Sequence, residues 1–463
     1  MIRLLHAYFP KRTLFLGVSE AFLISCAFIT ATVARLGREA TAYLFDYHRG
    51  SFKILVASLG ILICMYYFDL YNSSILRSRR EVIVRLTQVL GTVYSLSVLL
   101  YYLYPPLELG RGIFIIGLAL TALALLIWRE LFLMINRVPE FSVRTLILGD
   151  GPMGQALVQE LALRPELGMR VVGQLNSLDA GPAGQAQRSS DERTETLLNS
   201  VKFYGPDHIV VALGERRGCL PVEALFHLKS QGISIHDSAE LYEAVTGRIP
   251  LDAFRLSWLL FSPGFRVARR LPAATRTVSF VVSFASIVLT LPLMSLVALA
   301  IFLDSGGPVV FKQQRVGKYG RRFTLYKFRT MRVDTKDVCC RPTEIDDARF
   351  TRIGRLLRRM RLDELPQLYN ILLGDMAFVG PRPFVPNQEE ECVQNIPHYR
   401  HRWMIRPGVT GWAQVNRGYN VTIEDNREKL SYDLYYIKNQ SIGLDMLILL
   451  KTMKVALLGL GSR

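Results

Sequence analysis

Apolar residues in this chain come in blocks divided by charge, and the lengths of the blocks already partition it. Four blocks lie in the first third, at about Leu14–Val33, Ile54–Leu70, Leu86–Tyr104 and Ile113–Met134. Each comes close to the roughly 20 residues that an α-helix, rising about 1.5 Å per residue, needs to cross about 30 Å of hydrocarbon. They predict a four-helix transmembrane bundle over residues 1–141. Lys11 and Arg12 before the first block would suit a signal peptide, but the block's length, Glu20 within it and the three blocks behind it predict a retained anchor.

A fifth uncharged run extends from Thr277 to Leu303, with Pro292 near its middle. A proline there removes an amide donor and leaves the carbonyl of Val288 without its helical partner, so the helix should bend or break. Two outcomes are open: an ordinary kinked span, or a re-entrant helix over about 277–303 that dips into one leaflet and returns.

Residues 142–265 have the texture of a cytoplasmic α/β, Rossmann-like domain. Arg144–Leu148 predicts a strand, Gly149–Gly154 a tight turn and Gln155–Leu163 a helix, with further buried strands at Val171–Leu175 and His208–Leu213. The Gly, Ala, Gln and Ser-rich stretch Leu178–Asp191 predicts a loop. Gly149, Gly151 and Gly154 match a dinucleotide fingerprint in the strand–turn–helix setting it requires. The second strand, Val171–Asn176, ends without the acidic residue that holds a ribose. The glycines therefore predict tight strand–helix packing and no bound NAD.

Composition agrees with a membrane protein carrying soluble parts: hydrophobic residues are 50% and mean hydropathy is +0.22, high for a soluble enzyme. The formal net charge is +17, and from Phe261 onward 31 Lys plus Arg face 17 Asp plus Glu. Such a surface seeks anionic lipid or phosphorylated substrates. No zinc-finger spacing, helix-turn-helix signature or basic arm accompanies the charge, so nucleic acid is not an expected partner. Short basic loops orient the bundle. Arg3, Lys11 and Arg12, then Arg77, Arg79, Arg80 and Arg85, then Arg129, Arg137 and Arg144 place both of its ends in the cytoplasm; Arg35, Arg38, Arg49 and Lys53 form one discordant loop. Cys26, Cys64, Cys219, Cys339, Cys340 and Cys392 show no metal-ligand spacing and read as reduced thiols.

Candidate chemistry is concentrated in the last third. Phe323–Met331 predicts a strand delivering Lys327 and Arg329, and Arg349–Met360 predicts an arginine-rich helix. Pro366 suits a helical first turn, so a new helix is expected from about Asp363 to Gly374. At that helix start Asp363 can be a cap, a nucleophile or both, because free amides favour a carboxylate and favour phosphate equally. Lys327, Arg329, Arg358 and Arg382, the last on the proline-bracketed turn Gly380-Pro-Arg-Pro383, make a phosphate clamp. Arg355 and Arg359 read as a solvated or lipid-facing surface. Trp412 can stack on a base or serve packing, and Ser441–Leu460 predicts an amphipathic helix lying on a membrane or a buried core helix.

Lys327-Phe-Arg-Thr-Met331, Leu362-Asp-Glu-Leu-Pro-Gln367, Gly374-Asp-Met-Ala-Phe-Val-Gly-Pro-Arg-Pro383, Arg406-Pro-Gly-Val-Thr-Gly-Trp-Ala-Gln-Val-Asn416 and Tyr432-Asp-Leu-Tyr-Tyr-Ile437 follow one another in a fixed order. From about Arg276 to Lys454 the chain thereby resembles the bacterial sugar transferases that act on polyprenyl phosphates, the monotopic phosphoglycosyl transferases. Its spans and Rossmann-like domain resemble their longer, exopolysaccharide-initiating branch. The resemblance implies a mostly helical catalytic domain over 266–463, moored on the cytoplasmic face of the inner membrane by a re-entrant helix. A full fifth crossing would put that domain outside the cell, away from nucleotide sugars.

The resemblance also implies the reaction. Asp363 would attack the β-phosphate of a UDP-sugar, UMP would leave, and polyprenyl (undecaprenyl) phosphate would take the phosphosugar from the aspartate. Glu364 would hold Mg2+, and Lys327, Arg358, Arg382 and Asp433 would complete the polar site. A UDP-hexose donor, the lipid bilayer and a homodimeric partner are the expected associations. Two positions depart from the family pattern: Arg361 stands where many members have a small hydroxyl residue, and Leu291 separates Thr290 from Pro292. Two rival readings are a membrane-anchored NAD-dependent nucleotide-sugar dehydratase or epimerase and a non-catalytic scaffold. The first lacks a Tyr four residues before any Lys, and the second does not explain Asp363-Glu364 among its basic partners.

Overall fold

Each apolar block becomes one helix. The computed structural model describes residues 2–4, 7–9, 11–47, 49–71, 79–137, 142–175, 190–213, 220–251, 264–265, 271–332, 349–417 and 422–458. They form two compact units, one taking in Tyr8–Leu241 and the other Tyr242–Arg463. Most of the expected loop Leu178–Asp191, the neighbourhood of the expected edge at 265, and Cys219, Cys339 and Cys340 lie outside the described residues. Cys26, Cys64 and Cys392 are free thiols.

In the first unit the long helices are Lys11–Leu36, Gly50–Tyr67, Arg79–Leu103 and Arg111–Arg137. Phe28, Ile61, Val89 and Leu125, one from each, belong to a single apolar cluster. Phe22, Leu59, Leu96 and Leu123 face outward on the same helices. Apolar side chains inside and outside are what a lipid solvent demands, because lipid takes the place of water around the outer face. With helix Leu271–Ser305, five helices among the described residues are long and apolar enough to cross a membrane. The chain is a membrane protein. A charged pair interrupts the first cluster: Arg129 Nε donates to Glu20 Oε1 at 2.7 Å and Arg129 Nη1 to the carbonyl of Leu70 at 3.0 Å, both side chains being buried. Pairing offsets the cost of burying either ion alone. A short helix, Arg38–Tyr47, occupies what the sequence reading treated as a loop.

The α/β part holds four parallel strands in the order Met169–Leu175, Val143–Leu148, His208–Val211 and Ser234–Asp237. The turn after Val143–Leu148 leads into helix Pro152–Leu163. Its glycines are needed for closeness: a Cβ on Gly149, which has φ +113°, would lie 2.7 Å from the carbonyl oxygen of Ala212, and one on Gly154 would lie 2.6 Å from that of Gly149. Gln174 fills the position near the end of the second strand and donates its side-chain amide to Gly149 O at 2.9 Å.

The second unit begins with the end of helix Ser238–Thr246, then helix Leu271–Ser305 and an antiparallel hairpin, Val310–Val316 with Arg322–Phe328. A series of short helices follows, with one two-stranded parallel pair, Ala377–Val379 and Gly408–Thr410, before the longer helices Ile423–Asn439 and Ile442–Leu458. Of the expected bend or break at Pro292 there is no break: the helix is continuous from Leu271 to Ser305. Near Pro292, Thr290 Oγ1 donates to the carbonyl of Ser286 at 2.7 Å, the back-bond common for hydroxyl side chains in helices. Val297 and Ile301 pack with Phe328 and Leu357, and Leu362 and Leu365 join that cluster. Near the other end, Arg276 donates to the carbonyls of Ile371 and Leu372 at 2.5 and 2.6 Å.

Candidate active site

Lys327 comes from the hairpin strand Arg322–Phe328, where it lies opposite Phe311. That strand is fastened by Asn370, a fully buried residue in helix Gln367–Leu373. Asn370 Nδ2 donates to the carbonyl of Thr324 at 2.7 Å and its Oδ1 accepts from the amide of Tyr326 at 3.1 Å. A side-chain amide, with donor and acceptor fixed in one plane, can replace a neighbouring strand in this way. Sequence reasoning missed it; the available signal was a lone Asn among Leu, Ile and Tyr, where burial of an amide demands partners.

The second arm starts at helix Arg352–Arg359. Thr351 caps it by accepting from Gly354 N at 2.8 Å, and Asp304 accepts from Ile353 N at 3.2 Å. Gly354 is dictated by contact, since a Cβ there would fall 2.1 Å from Thr330 O. The helix ends, and Arg361 turns the chain with φ 55°, ψ 22°, a left-handed conformation that side chains other than Gly, Asn and Asp enter at a cost. Leu362–Glu364 then form one 3-10 turn. Asp363 is thus four residues ahead of the α-helix and not at its N-terminus, as the sequence reading placed it; Pro366 occupies the cap position instead. Gly374 ends that helix as expected, with φ 92°.

The third arm is the Gly380-Pro-Arg-Pro383 turn. Gly380 N donates to Thr410 O and Gly408 N to Pro381 O, and a Cβ on Gly411 would meet Gly380 O at 2.2 Å. Only bare backbone lets these two segments cross so closely, which explains the glycines of Arg406–Asn416 and rigidly sets Arg382.

The three arms meet at Glu364. Its Oε1 accepts from Lys327 Nζ at 3.3 Å and from Arg382 Nη2 at 3.2 Å, and Arg361 Nη1 lies 3.7 Å from Oε2. Burial disfavours this carboxylate, but Lys327, Arg382 and Arg361 outweigh burial and hold its pKa down to about 2. Asp363 is 8% exposed, and among the described residues none donates a hydrogen bond to its carboxylate. A helix cap is therefore not what it is here. Burial, opposed by Lys327 and aided by the Glu364 charge, raises its pKa above the ordinary aspartate value; Arg382 and Arg358 pull the other way.

The remaining expected residues are distributed. Arg358 stacks its guanidinium 4.9 Å from the Phe350 ring centroid and acts on Asp363 only through its field. Arg329 is directed away from the dyad: Nη2 donates to Ser305 O, Ser305 Oγ and Gly306 O, at 2.9, 2.8 and 2.5 Å, closing the end of helix Leu271–Ser305. Asp433 is buried against Arg402, at 3.1 Å, and bonds to neither Lys327 nor Arg382. Trp412 serves packing, since it is buried, stacks on Tyr435 and donates Nε1–H to Gly247 O at 2.8 Å. Helix Ile442–Leu458 is amphipathic, with one face in the core: Leu444 and Ile448 are buried, while Ile442, Met446, Leu450 and Met453 form an exposed apolar stripe.

Among the described residues no three His, Cys, Asp or Glu side chains group as metal ligands. The adjacent carboxylates Asp363 and Glu364 nonetheless fit Mg2+, which binds through one or two carboxylates and completes its shell with substrate phosphate and water. A cation there would displace at least one of the basic partners now on Glu364.

Fastened arms thus place a shielded aspartate beside a glutamate ringed by cations near the end of an apolar helix, and residues 271–459 match the bacterial sugar transferase family model. The chain belongs to the bacterial sugar transferase family. It is 39% identical over 234 residues to the UDP-N-acetylgalactosamine-undecaprenyl-phosphate N-acetylgalactosaminephosphotransferase of Aeromonas hydrophila, covering 50% of this chain and 54% of the relative. It is 31% identical over 311 residues to the UDP-glucose:undecaprenyl-phosphate glucose-1-phosphate transferase of Escherichia coli K12, covering 66% of each. It is 43% identical over 176 residues to the exopolysaccharide production protein PSS of Rhizobium leguminosarum bv. phaseoli, covering 37% of this chain and 88% of the relative. The chain thus spans under two thirds of the first two relatives.

Proposed function

We propose that this protein transfers a sugar-1-phosphate from a UDP-sugar to polyprenyl (undecaprenyl) phosphate, releasing UMP, as the first membrane step of exopolysaccharide biosynthesis. The observation that carries the reading is the inequality of the dyad. Glu364 is fixed as an anion by three cations, whereas Asp363 beside it is shielded, without a hydrogen-bond donor, and left to react.

A carboxylate without donors is a stronger nucleophile than a solvated one. An Asp363 oxygen forms a bond to the β-phosphorus of the donor, the bond from that phosphorus to the bridging oxygen breaks, and UMP leaves with the oxygen. Lys327 and Arg382 shift from Glu364 onto the phosphate oxygens and offset the growing negative charge. An oxygen of polyprenyl phosphate then attacks the same phosphorus. The Asp363–phosphorus bond breaks, the carboxylate is regenerated, and a polyprenyl diphosphate sugar departs. Mg2+ held by Glu364 would supply further charge to the pyrophosphate and steady the leaving group.

The acceptor's lipid nature fits the setting. Both halves of helix Leu271–Ser305 reach elements of the candidate site, Arg276 at the carbonyls of Ile371 and Leu372 and Val297 in the apolar cluster that holds Leu357; in this reading the continuous helix bends at Pro292, stays within one leaflet and keeps the site on the cytoplasmic face of the inner membrane. The four N-terminal helices form a transmembrane bundle in this reading. The Rossmann-like part binds no NAD in this reading, and a homodimer forms through the membrane or Rossmann-like parts. Wild-type protein given UDP-sugar alone should release up to one UMP per site and gain the mass of a phosphosugar on the peptide containing Asp363. Asp363→Asn should abolish both while leaving the protein folded. UMP appearing only in the presence of the lipid acceptor, with no adduct, would refute the covalent route.

A further inference from the structure

Arg402 lies on the 3-10 turn Tyr399–Met404 and is 4% exposed. Its guanidinium gathers four elements. Nη1 donates to Glu389 Oε1 at 3.4 Å and to the Tyr399 hydroxyl; Nη2 donates to Asp433 Oδ2 at 3.1 Å and to the carbonyl of Arg382 at 2.9 Å. Phe384 and Tyr399 cover its planar faces, 4.7 and 5.0 Å from the ring centroids. Glu389 and Asp433 are as buried as Arg402 itself. One cation and two carboxylates out of water are costly, and well-packed apolar residues usually do the structural part of such a job as well or better. Among the described residues, Arg402 Nη2 ties the cluster to the site through the backbone of Arg382, the residue whose side chain grips Glu364.

We propose that Arg402 is a positioning residue of the phosphate site, acting through Arg382, and that Glu389 and Asp433 serve to orient Arg402. The inference rests on the transferase reading in taking Arg382 as a group that receives donor phosphate. Four other bonds hold the turn on either side of Arg382: Gly380 N to Thr410 O, Gly408 N to Pro381 O, Arg315 Nη1 to Pro383 O and Val316 N to Phe384 O. The Arg382 carbonyl, set between two prolines, controls the direction in which its side chain leaves the turn, and Arg402 holds that carbonyl. Arginine is required because one planar fork must meet two carboxylates and a carbonyl together; a lysine ammonium keeps the charge and loses the fork. Asp433 gains a role different from the phosphate binding that family resemblance implied. Two carboxylates flanking a guanidinium would repel phosphate, and the bonded partner of Asp433 is Arg402.

The test is a double-mutant cycle on the full-length protein in detergent, with inorganic pyrophosphate as the probe and calorimetry as the readout. Arg402→Lys should weaken pyrophosphate binding by about tenfold or more in the wild-type background and by less than about twofold in an Arg382→Ala background. The same loss in both backgrounds, or an unchanged affinity with only a lower melting temperature, overturns the proposal. If Arg402→Lys does not fold, Asp433→Asn, of equal volume, takes its place with the same expected non-additivity, and additivity again overturns it. UMP release from UDP-sugar on the same samples separates the two levels. Coupled pyrophosphate binding without any release by wild type retires the transferase reading and leaves the positioning role standing; release with additive binding losses does the reverse.

Discussion

Asp363 and Glu364 are neighbours in the chain, yet their carboxyl groups stand under opposite conditions, the first pushed toward protonation by burial and by the second's charge, the second held ionised by Lys327, Arg382 and Arg361. Pairs of acids separated in this way divide labour: one stays a fixed anion and the other changes state during turnover.

Acidification should therefore silence the nucleophile early. If Asp363 reacts as the carboxylate, as proposed, its raised pKa means that the donor-only UMP burst should fall as pH drops through a midpoint above that of an ordinary aspartate. Glu364→Gln removes the neighbouring negative charge and releases Lys327 and Arg382 toward Asp363. Both changes lower the Asp363 pKa, so whatever burst survives in that variant should keep its amplitude to lower pH. A burst whose acid limb is the same in both proteins would show that the two carboxyls are not coupled.

Asn370 should prove as important to the site as any charged residue. Asn370→Ala strands the Thr324 carbonyl and the Tyr326 amide, each an unsatisfied backbone group costing about 1–3 kcal/mol. Thermal unfolding should register that loss, and donor affinity should weaken because Lys327 follows its strand. Unchanged donor affinity in a measurably destabilised variant would mean that Lys327 is held by other contacts.

The left-handed Arg361 gives a graded test. Arg361→Gly should fold with no less stability than wild type, because glycine adopts φ 55° without the penalty, while Arg361→Val should lose about 1–2 kcal/mol. Equal melting temperatures for the Gly and Val variants would show that the turn is free to rearrange.

If helix Leu271–Ser305 is re-entrant, as proposed, single cysteines introduced as Arg270→Cys and Lys312→Cys should both react with an impermeant thiol reagent from the cytoplasmic face only. Labelling of Lys312→Cys from the opposite face would mean a full crossing.

Much of this was legible before any coordinates. Long apolar blocks report helices because nothing but lipid or a core can accept them, and the glycines at Gly149 and Gly154 report close backbone approaches. The site was legible where a motif placed charge on an ordered element, as at Lys327 and Arg382. It was not legible at Arg402, which sits in Tyr399-Arg-His-Arg-Trp-Met404, a run with no period that separates a buried arginine from a solvated one. Arg329 was misplaced for a related reason: alternation along the strand sets its side, but only the fold shows that a helix end waits there with three acceptors. Asp363 was expected at a helix start because Pro366 marks a first turn, and a 3-10 turn ahead of that start leaves no signature of its own.

The end of the apolar helix is tied to both halves of the dyad's surroundings. Arg329, two residues beyond Lys327, closes over Ser305 and Gly306, while Asp304 receives the first turn of the helix that leads to Asp363. A rod so fastened cannot shift along its axis without carrying Asp363 with it. In the proposed reading the lipid supplies the vertical ruler: the depth at which one greasy helix floats would set the height of Asp363 above the acyl chains, and so favour phosphates moored at that height.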